Sequence, residues 1–421
     1  MQTNLAAWAQ NTDLGQEADA ILRRCVHCGF CLATCPTYQV LGDERDSPRG
    51  RIYLIKQVLE GVEPTSATQK HLDQCVTCRN CETTCPSGVQ YGALVDIGRK
   101  VVDEKVERPF AQRMMRNVLR HVLTSPLFGP AYRIGRAFRP VLPDLLKSKI
   151  PASRPAGALP ANRGRHSRQV LMLTGCVQPA MMPSIDAATI RVLDQLGIGT
   201  RFAAGSGCCG AINFHLDAQE AARDQMRANI DAWLPFIDRG EVEAIIMNAS
   251  GCGATVREYA HHLRHDPEYA DKATRVAEKV LDIAQVVAPH AAELKAKITS
   301  LPSEIAFHPP CTLQHWQGLR GVSERMLIDL GFKLAPFTES HLCCGSAGTY
   351  SVTQPKLSRS LRDRKLAAIQ AVTPDCIVSS NIGCITHLQS GTATPVRHWI
   401  EVVDEALATA ARADAGRTIS P

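Results

Sequence analysis

Apolar residues in the first hundred positions recur every three or four residues, which is the spacing of amphipathic helices. A short stripe precedes residue 24, and a longer one ends at Gly61, shortly before Glu63-Pro64 breaks the pattern. The longer stripe consists of Ile52, Leu54, Ile55, Val58 and Leu59. Few segments here alternate between apolar and polar residues, so we predict an α-helical domain over residues 1–100.

The stretch over residues 101–168 changes character halfway. Helical spacing continues through Phe110, Met114, Met115, Val118, Leu119 and Val122. After Ser125-Pro126 prolines accumulate, and residues 151–168 have the composition of a loose linker. We therefore predict a basic helical connector followed by a Pro-rich linker.

From residue 169 onward, short apolar runs alternate with helical segments, and the whole pattern occurs twice. A run ending at Cys176 corresponds to one ending at Cys311, the pair Cys208-Cys209 to Cys343-Cys344, and Cys252 to Cys384. The offsets between these equivalent cysteines are 135, 135 and 132 residues. Unrelated cysteines would not keep this register, which indicates a duplication.

Each copy has the order strand, helix, strand, long helix, strand, which predicts a small parallel α/β unit. The cysteines would then lie at the carboxyl ends of strands, where such sheets place their ligand sites. We predict copies over residues 169–300 and 301–421. Cys376 lies inside the last apolar run of the second copy and has no counterpart in the first, so we expect it in the core.

The composition excludes several classes of protein. A chain of 421 residues with 45% hydrophobic residues should hold two to four soluble domains. No apolar run is long enough to span a bilayer, and no secretory signal precedes the first helix, so we expect a cytoplasmic protein. Its 17 cysteines then indicate metal binding rather than disulfides.

Positive charge is concentrated in the connector. Residues 99–168 contain sixteen Lys and Arg against four Asp and Glu, a local charge of +12, whereas the whole chain carries +6. Aromatic residues interleave with these cations, which favours docking to an anionic membrane surface or an acidic partner over a merely solvated connector. No recognition motif supports nucleic-acid binding. We interpret Arg49 and Arg51, near the first cysteine run, as solvated surface residues.

Two cysteine runs dominate the helical domain. Each has the spacing C-x2-C-x2-C-x3-C-P of two-cluster ferredoxins, over residues 25–36 and 75–86. Structural zinc needs four ligands, typically two C-x2-C pairs, so four cysteines in each of two runs exceed that requirement. In this pattern the fourth cysteine of each run ligates the other cluster. We therefore assign two [4Fe–4S] clusters, one to Cys25, Cys28, Cys31 and Cys85, the other to Cys75, Cys78, Cys81 and Cys35.

The C-terminal cysteines leave three interpretations open: a metal or iron–sulfur cluster with an altered ligand set, a redox-active dithiol, or buried structural thiols. The repeats resemble the cysteine-rich CCG domains of heterodisulfide reductase and respiratory dehydrogenase subunits, whose complete copies end in C-x2-C and can hold an unusual iron–sulfur cluster. Here Ala249 and Asn381 replace the first cysteine of that ending. His308 and His315 flank Cys311 as candidate replacement ligands, proton relays or core residues. The candidate metal ligands are Cys176, Cys208, Cys209, Cys252, Cys311, Cys343, Cys344 and Cys384.

The order of modules resembles the iron–sulfur subunits of bacterial glycolate oxidases. The likeness is carried by the two cysteine runs, by the segment G-D-E-R-D-S-P-R-G-R over residues 42–51, and by the tandem CCG repeats. It implies a multidomain fold, an N-terminal α-helical two-cluster ferredoxin domain followed by two duplicated α/β CCG domains. It further implies flavin-binding partner subunits, carrying FAD, that oxidise glycolate to glyoxylate, and electron transfer through this chain to a quinone or membrane acceptor.

The residues agree with that division of labour, because the chain shows no G-x-G-x-x-G after a strand and no other flavin or nicotinamide motif. Hydroxy-acid oxidation removes two electrons, whereas clusters carry one at a time, so a flavin partner must make the conversion. A subunit of a lactate or anaerobic glycerol-3-phosphate oxidising complex is the alternative in the same class. A thiol reductase resembling heterodisulfide reductase and a non-catalytic iron–sulfur protein are the other hypotheses.

Overall fold

Helices build the N-terminal region around one apolar core. The computed structural model describes residues 1–139, 154–161, 165–298, 300–302 and 304–417, with side chains through residue 408. The N-terminal helices are α1 (Ala7–Gln10), α2 (Asp13–Arg24), α3 (Pro36–Leu41), α4 (Pro48–Leu59), α5 (Ser66–Asp73), α6 (Asn80–Thr84) and α7 (Tyr91–Lys105). Their apolar faces meet in a core that includes Leu22, Ile55, Leu72, Leu94 and Val95. The predicted helical domain is confirmed.

The helix boundaries follow from local side-chain chemistry. The Thr12 hydroxyl accepts a hydrogen bond from the Gly15 amide at the start of α2, and Ser47 does the same for Gly50 at the start of α4. Pro48 occupies the first turn of α4, where its missing N–H costs nothing. Such caps satisfy amide groups that a helix start would otherwise leave unpaired.

Arg51 is not a surface residue, which corrects the sequence interpretation. Its side chain is 0% exposed, and its guanidinium donates to the His71 carbonyl oxygen at 2.7 Å, to the Thr37 hydroxyl at 3.1 Å and to Asp46 at 3.2 Å. The Thr37 hydroxyl also contacts the Cys35 sulfur at 3.3 Å. Arg51 therefore ties the end of the first cysteine run to α5, which leads into the second run. Arg49 keeps a third of its side chain exposed.

The connector forms helices α8 (Phe110–Thr124) and α9 (Phe128–Ala137). The second helix was not predicted, and it tolerates Pro130 because that residue lies in its first turn. Helix α8 turns part of its basic side toward the protein and its apolar side outward. Arg116 pairs with Asp217, and Arg120 donates to the Leu216 carbonyl oxygen. Phe110, Met114 and Val118 are more than half exposed. Part of the connector's positive charge is therefore used in internal ion pairs. Pro140, Pro143 and Pro151, which belong to the Pro-rich part of this stretch, lie outside the described residues.

The first repeat is a parallel α/β unit. Its strands are β1 (Arg168–Met172), β2 (Ile198–Arg201), β3 (Ala244–Met247) and β4 (Val280–Asp282), in the order β2-β1-β3-β4. All three strand pairs are parallel, with Val170 opposite Ala244 and Ile245 opposite Val280. The helices are α10 (Gln178–Met181), α11 (Pro183–Gln195), α12 (Ala211–His215), α13 (Gln219–Asp238), α14 (Ser250–Arg257), α15 (Tyr259–His262), α16 (Ala270–Glu278), α17 (Ile283–Val287) and α18 (Ala291–Lys295). The predicted parallel unit is confirmed, and β4 extends it.

The second repeat has a smaller parallel sheet, with β5 (Ile305–Phe307), β6 (Cys376–Ser379) and β7 (Val396–His398) in that order. The expected second strand is reduced to one bridge between Ile305 and Leu334. Pro336 lies two residues after Leu334 and lacks the N–H that a longer ladder would need. A π-helical turn covers Thr312–Trp316, and the helices are α19 (Val322–Asp329), α20 (Tyr350–Thr353), α21 (Pro355–Gln370), α22 (Ile382–Gln389) and α23 (Trp399–Arg417).

The two repeats share one apolar core. This core joins strands of both sheets with α11 and α23, and it includes Cys376 as expected. Polar contacts add to it, because Arg191 pairs with Asp404 and the Ser184 hydroxyl donates to Glu401 at 2.6 Å. The Ser250 amide donates to the Ser380 carbonyl oxygen at 3.0 Å, so the carboxyl ends of β3 and β6 face each other. The cysteine-bearing edges of both sheets are thereby brought to the same region.

We predict that Arg51→Met destabilises the protein by about 3–5 kcal/mol, because it leaves the Asp46 carboxylate buried without its guanidinium partner. Urea unfolding of anaerobically purified protein measures the change. Arg45→Met is the matched control, since Arg45 and its partner Asp43 lie at the surface and should leave the unfolding midpoint unchanged. Equal midpoints for the two variants would contradict the structural role of Arg51.

Candidate iron–sulfur and thiol sites

The two ferredoxin-type runs share one backbone conformation. Residues two and four positions after the first cysteine adopt positive φ in both: His27 (56°) and Gly29 (84°), then Thr77 (51°) and Arg79 (58°). These left-handed positions turn the chain tightly between successive cysteines. A short helical segment then leads to Cys35 or Cys85, each in extended conformation before a proline.

The eight thiols lie in two adjoining groups that cross between the runs. Cys25, Cys28, Cys31 and Cys85 line one cavity, which Cys81 also borders. Burial raises the pKa of Cys25, and the charges of Cys85 and Cys28 add to the rise. Burial also raises the pKa of Cys81 well above its usual range, and the charges of Cys78, Cys75 and Cys35 raise it further. The second group therefore contains Cys35 from the first run.

The donor set fits two iron–sulfur clusters. Burial and the neighbouring thiols Cys25 and Cys35 raise the pKa of Cys31 to about 11, so crowding of the sulfurs disfavours thiolates unless a cation is present. Iron supplies that positive charge and keeps coordinating thiols deprotonated. Each of the two groups offers four sulfurs, which is the number that a [4Fe–4S] cluster binds.

The second run lies where the ferredoxin-type domain meets the second repeat. The Trp316 indole donates to the Thr77 carbonyl oxygen at 3.1 Å, and the Tyr350 hydroxyl donates to the Gln74 carbonyl oxygen at 2.9 Å. On the opposite side, the Arg99 guanidinium donates to the Cys75 carbonyl oxygen at 2.6 Å. The backbone around Cys75 and Cys78 is thus held from both sides.

Arg79, between two cysteines of this run, connects all three domains. Its guanidinium makes a bidentate ion pair with Glu258 of the first repeat. The same group stacks 3.5 Å from the centre of the Trp316 ring in the second repeat. Because the guanidinium is planar and carries several donors, it can pair and stack at once, which a lysine could not do equally well.

In the second repeat the candidate cysteines form a buried series that begins at the ferredoxin-type domain. The Cys311 thiol contacts Cys343 and Cys78, and these contacts together with burial raise its pKa well above the usual range. Cys344 in turn contacts Cys343 and Cys384. Tyr350, Leu357 and Leu361 pack around the start of this series. The sequence did not reveal that Cys311 meets a ferredoxin-type cysteine.

The two candidate histidines differ in position. His315 has both ring nitrogens paired, one with the Thr83 hydroxyl at 3.1 Å and the other with the His341 carbonyl oxygen at 3.0 Å, so it connects the domains. His308 is fully buried, and neither ring nitrogen has a hydrogen-bond partner. One nitrogen of His308 lies with the sulfurs of Cys344 and Cys384 in a group whose members are all within 4.8 Å of one another. Burial, and then nearby Lys365, lower the pKa of His308, so its imidazole is neutral.

The cysteines of the first repeat are arranged more openly. Cys176 contacts Cys208, which adjoins Cys209, and Cys209 contacts Cys252. Cys176 and Cys252 at the two ends are half-buried, whereas the central pair is buried. Asn229 donates to the Cys208 carbonyl oxygen at 2.8 Å and so fixes the pair from behind.

The positions of the missing cysteines are filled differently in the two repeats. Ala249 is a buried methyl group before α14 and offers no ligand atom. Asn381 lies at the equivalent place before α22, and its amide donates to the Cys384 sulfur at 3.7 Å. Neither residue provides a sulfur, as the sequence indicated.

Family comparisons agree with this architecture. The 4Fe–4S dicluster domain family matches residues 21–89, and the Cysteine-rich domain family matches residues 170–257 and 305–389. The chain is therefore an iron–sulfur protein that joins a ferredoxin-type dicluster domain to two cysteine-rich α/β domains.

Full-length relatives narrow the class. The glycolate oxidase iron-sulfur subunit of Escherichia coli (strain K12) is 53% identical over 408 residues, covering 97% of this chain and 99% of the relative. The probable glycolate oxidase iron-sulfur subunit of Bacillus subtilis (strain 168) is 30% identical over 400 residues, covering 88% and 89%. Lactate utilization protein A of Geobacillus thermodenitrificans (strain NG80-2) is 27% identical over 246 residues, 56% of this chain and 98% of that protein. This chain belongs to the glycolate oxidase iron–sulfur subunit family and is an electron-transfer component of an oxidoreductase complex.

We predict that Glu258→Gln destabilises the junction of the three domains by about 1–3 kcal/mol, because it removes the carboxylate that pairs directly with the buried Arg79 guanidinium and leaves only the more distant Glu82 and Asp96. Thermal unfolding under anaerobic conditions measures the effect. The control is Glu220→Gln, whose carboxylate forms an exposed pair with Arg223 within α13. If the control lost as much stability as Glu258→Gln, the proposed role of the Arg79 contact would be wrong.

Proposed function

We propose that this chain carries electrons from flavin-binding partner subunits that oxidise glycolate to glyoxylate toward a quinone or another membrane acceptor. The observation that carries the proposal is the pair of adjoining four-thiol groups, Cys25, Cys28, Cys31, Cys85 and Cys75, Cys78, Cys81, Cys35. Two clusters in these positions would be close neighbours, as stepwise electron transfer requires. The full-length similarity to glycolate oxidase iron–sulfur subunits supports this choice of complex.

The electron count requires a partner with two-electron chemistry. Oxidation of glycolate to glyoxylate releases two electrons and two protons, and a flavin takes up both electrons from the substrate. The reduced flavin then passes them one at a time to the iron–sulfur clusters. This chain's residues hold and insulate the one-electron carriers, and the substrate site belongs to another subunit.

A lactate-oxidising complex is the second candidate. Lactate utilization proteins A match over about half of this chain, at 23–27% identity, while covering nearly their whole length. Glycolate and lactate are both 2-hydroxy acids, and the same electron-transfer modules would serve either. The higher identity and full coverage of the glycolate oxidase relatives favour glycolate.

We predict that the ferredoxin-type domain of each chain holds about eight iron and about eight labile sulfide, because its eight cysteines would bind two [4Fe–4S] clusters. Dithionite-reduced protein should show two coupled ferredoxin-type EPR signals. Cys28→Ser should remove iron and alter the first cluster's signal, whereas Cys376→Ala, a buried thiol within β6, should change neither. A zinc-only protein would overturn the electron-transfer function.

The substrate is tested in the assembled complex. In the complex of this chain with its flavin-binding subunits, glycolate should bleach the flavin of the Cys28→Ser variant but no longer reduce the terminal acceptor. Lactate supplied in place of glycolate distinguishes the two candidates. Faster reduction with lactate than with glycolate would favour the second.

We further propose that α8 and α9 attach the protein to an anionic membrane surface. No helix in the described part of the chain is long and apolar enough to cross a bilayer. The exposed apolar residues are Phe110, Met114, Met115, Val118 and Val122 on α8, with Leu127, Ile134 and Phe138 on and around α9. Arg113 and Arg133 are exposed on the same two helices. An apolar stripe flanked by cations is the composition of helices that lie in the lipid headgroup region.

We predict that the double variant Phe110→Ser/Val118→Ser lowers the affinity for phosphatidylglycerol-containing vesicles more than about tenfold, because each large side chain contributes about 1.5–3 kcal/mol when buried. Vesicle co-sedimentation measures the affinity. Phe202→Ser/Ile328→Ser, at exposed apolar positions elsewhere, should leave it unchanged. Loss of assembly with the flavin subunits and unaltered vesicle binding would identify the surface as a protein interface instead.

A further inference from the structure

His308 is placed where a ligand would be expected, and the structure gives it no other role. It follows the last residue of β5, and its backbone is fixed there because its amide donates to the Val378 carbonyl oxygen at 2.8 Å and its carbonyl oxygen accepts from the Ser379 hydroxyl at 2.8 Å. Its imidazole is 0% exposed, yet both ring nitrogens lack a partner. Buried polar groups are nearly always paired, so two unpaired nitrogens on one ring point to a missing partner.

Two groups close to the ring, the thiols of Cys344 and Cys384, are of the kind that binds metals. One imidazole nitrogen and the sulfurs of Cys344 and Cys384 all lie within 4.8 Å of one another. A metal bound at 2.0–2.3 Å by nitrogen and sulfur separates its ligand atoms by roughly 3.3–3.8 Å, so a small contraction would complete the site. Among the described residues the other such convergence joins Asp43, Asp46 and His71, where Asp46 already pairs with Arg51.

We propose that the second repeat, and not the first, holds an iron–sulfur centre in which His308 supplies the ligand that Asn381 does not. Cys344 and Cys384 bind the same iron as His308, and Cys311 and Cys343 extend the ligand set toward Cys78. This inference rests on the proposed electron-transfer function and adds a third redox centre to it. The mixture of thiolates and a neutral imidazole is a set that iron–sulfur proteins use.

The first repeat has no histidine at the position equivalent to His308. In the register that aligns Cys176 with Cys311, the residue corresponding to His308 is Leu173, which packs against the apolar core of the first repeat. Ala249 also offers no ligand there, and the outer cysteines of the first repeat are half-buried. The first repeat therefore lacks both the imidazole and the enclosed position.

The surroundings of the second repeat suit a negatively charged centre. Lys365 is almost fully buried, and Cys311, Cys344 and Cys343 all lie close enough to affect its ionisation. Its ammonium group donates to the Glu339 carbonyl oxygen, so it is held beside the thiols without a carboxylate directly bound. A thiolate-ligated centre would add negative charge beside this buried cation, to which the Glu339 carboxylate already contributes.

The contact between Cys311 and Cys78 would connect the proposed centre to the second ferredoxin-type cluster. Cys78 belongs to the second ferredoxin-type group, and the side chains of the two cysteines touch. Electrons could thus pass between the second cluster and the new centre across two adjacent ligand side chains. A histidine ligand carries one negative charge fewer than a cysteine, so it raises the reduction potential of the centre.

The test measures iron and labile sulfide in anaerobically purified full-length protein and in two variants. His308→Leu introduces the residue found at this position in the first repeat, and His308→Cys introduces a thiol. We expect iron above about eight per chain in the unaltered protein and a return to about eight in His308→Leu. The EPR signal of the additional centre should show nitrogen-14 coupling from imidazole by pulsed methods. His308→Cys should keep the metal, lose this coupling and have a lower reduction potential. Cys376→Ala and His387→Ala are controls within the same repeat and should retain the excess iron and the coupling.

The outcomes separate this inference from the proposed function. About eight iron, two ferredoxin-type signals and identical metal content in His308→Leu would overturn the third centre and leave the electron-transfer function standing. Absence of the two ferredoxin-type signals would instead overturn the function. Stoichiometric zinc that disappears in His308→Leu would overturn the assignment of iron. Retention of nitrogen-14 coupling in His308→Cys would show that another residue is the ligand.

Discussion

Crowding of eight sulfur atoms in the helical domain is the constraint on which the rest of the structure depends. The eight thiols of the helical domain lie so close together, and several so deeply buried, that burial and mutual repulsion raise the pKa of Cys25, Cys31 and Cys81. Such an arrangement is stable when a metal holds the sulfurs as thiolates. The backbone accepts four left-handed residues to create it, three of them not glycine. Cluster binding would therefore contribute directly to the folding free energy of this domain.

The second cysteine run, residues 75–86, joins the domains and also contains four of the proposed cluster ligands. Gln74 and Thr77 offer backbone oxygens to Tyr350 and Trp316, while Arg79 reaches both repeats. Any loosening of this loop would disturb the cluster and the interface together. A rigid junction keeps the distance between redox centres constant, and electron transfer depends steeply on that distance. The first run meets the second repeat through α3, which begins at the final proline of the run and packs against α21. The two groups of thiols therefore have different neighbours.

Spacing along the chain allowed the local features to be predicted, and three-dimensional proximity accounts for those that were missed. The cysteine runs, the helices and the duplication are patterns within short windows, so the sequence reveals them directly. Arg51 looked like a surface residue because its partners Asp46, His71 and Thr37 are polar residues of separate turns, and no periodicity links them. The contact of Cys311 with Cys78 joins residues more than two hundred positions apart. The strands β4 and β7 are three residues long, too short for a recognisable alternation.

The two repeats arose by duplication, but their equivalent cysteines differ in burial and in their neighbours. Both repeats place a cysteine after the first strand and a pair before the long helix. The first cysteine of the second repeat packs against Cys78, a proposed cluster ligand, whereas that of the first repeat contacts Cys208 of its own repeat. That contact encloses Cys311, whereas its counterpart Cys176 stays half-buried. The enclosed site has a histidine directly after β5, whereas the more open site has Leu173 at the equivalent position. The position of each repeat relative to the ferredoxin-type domain therefore gives its thiols different surroundings, although the two repeats share one fold.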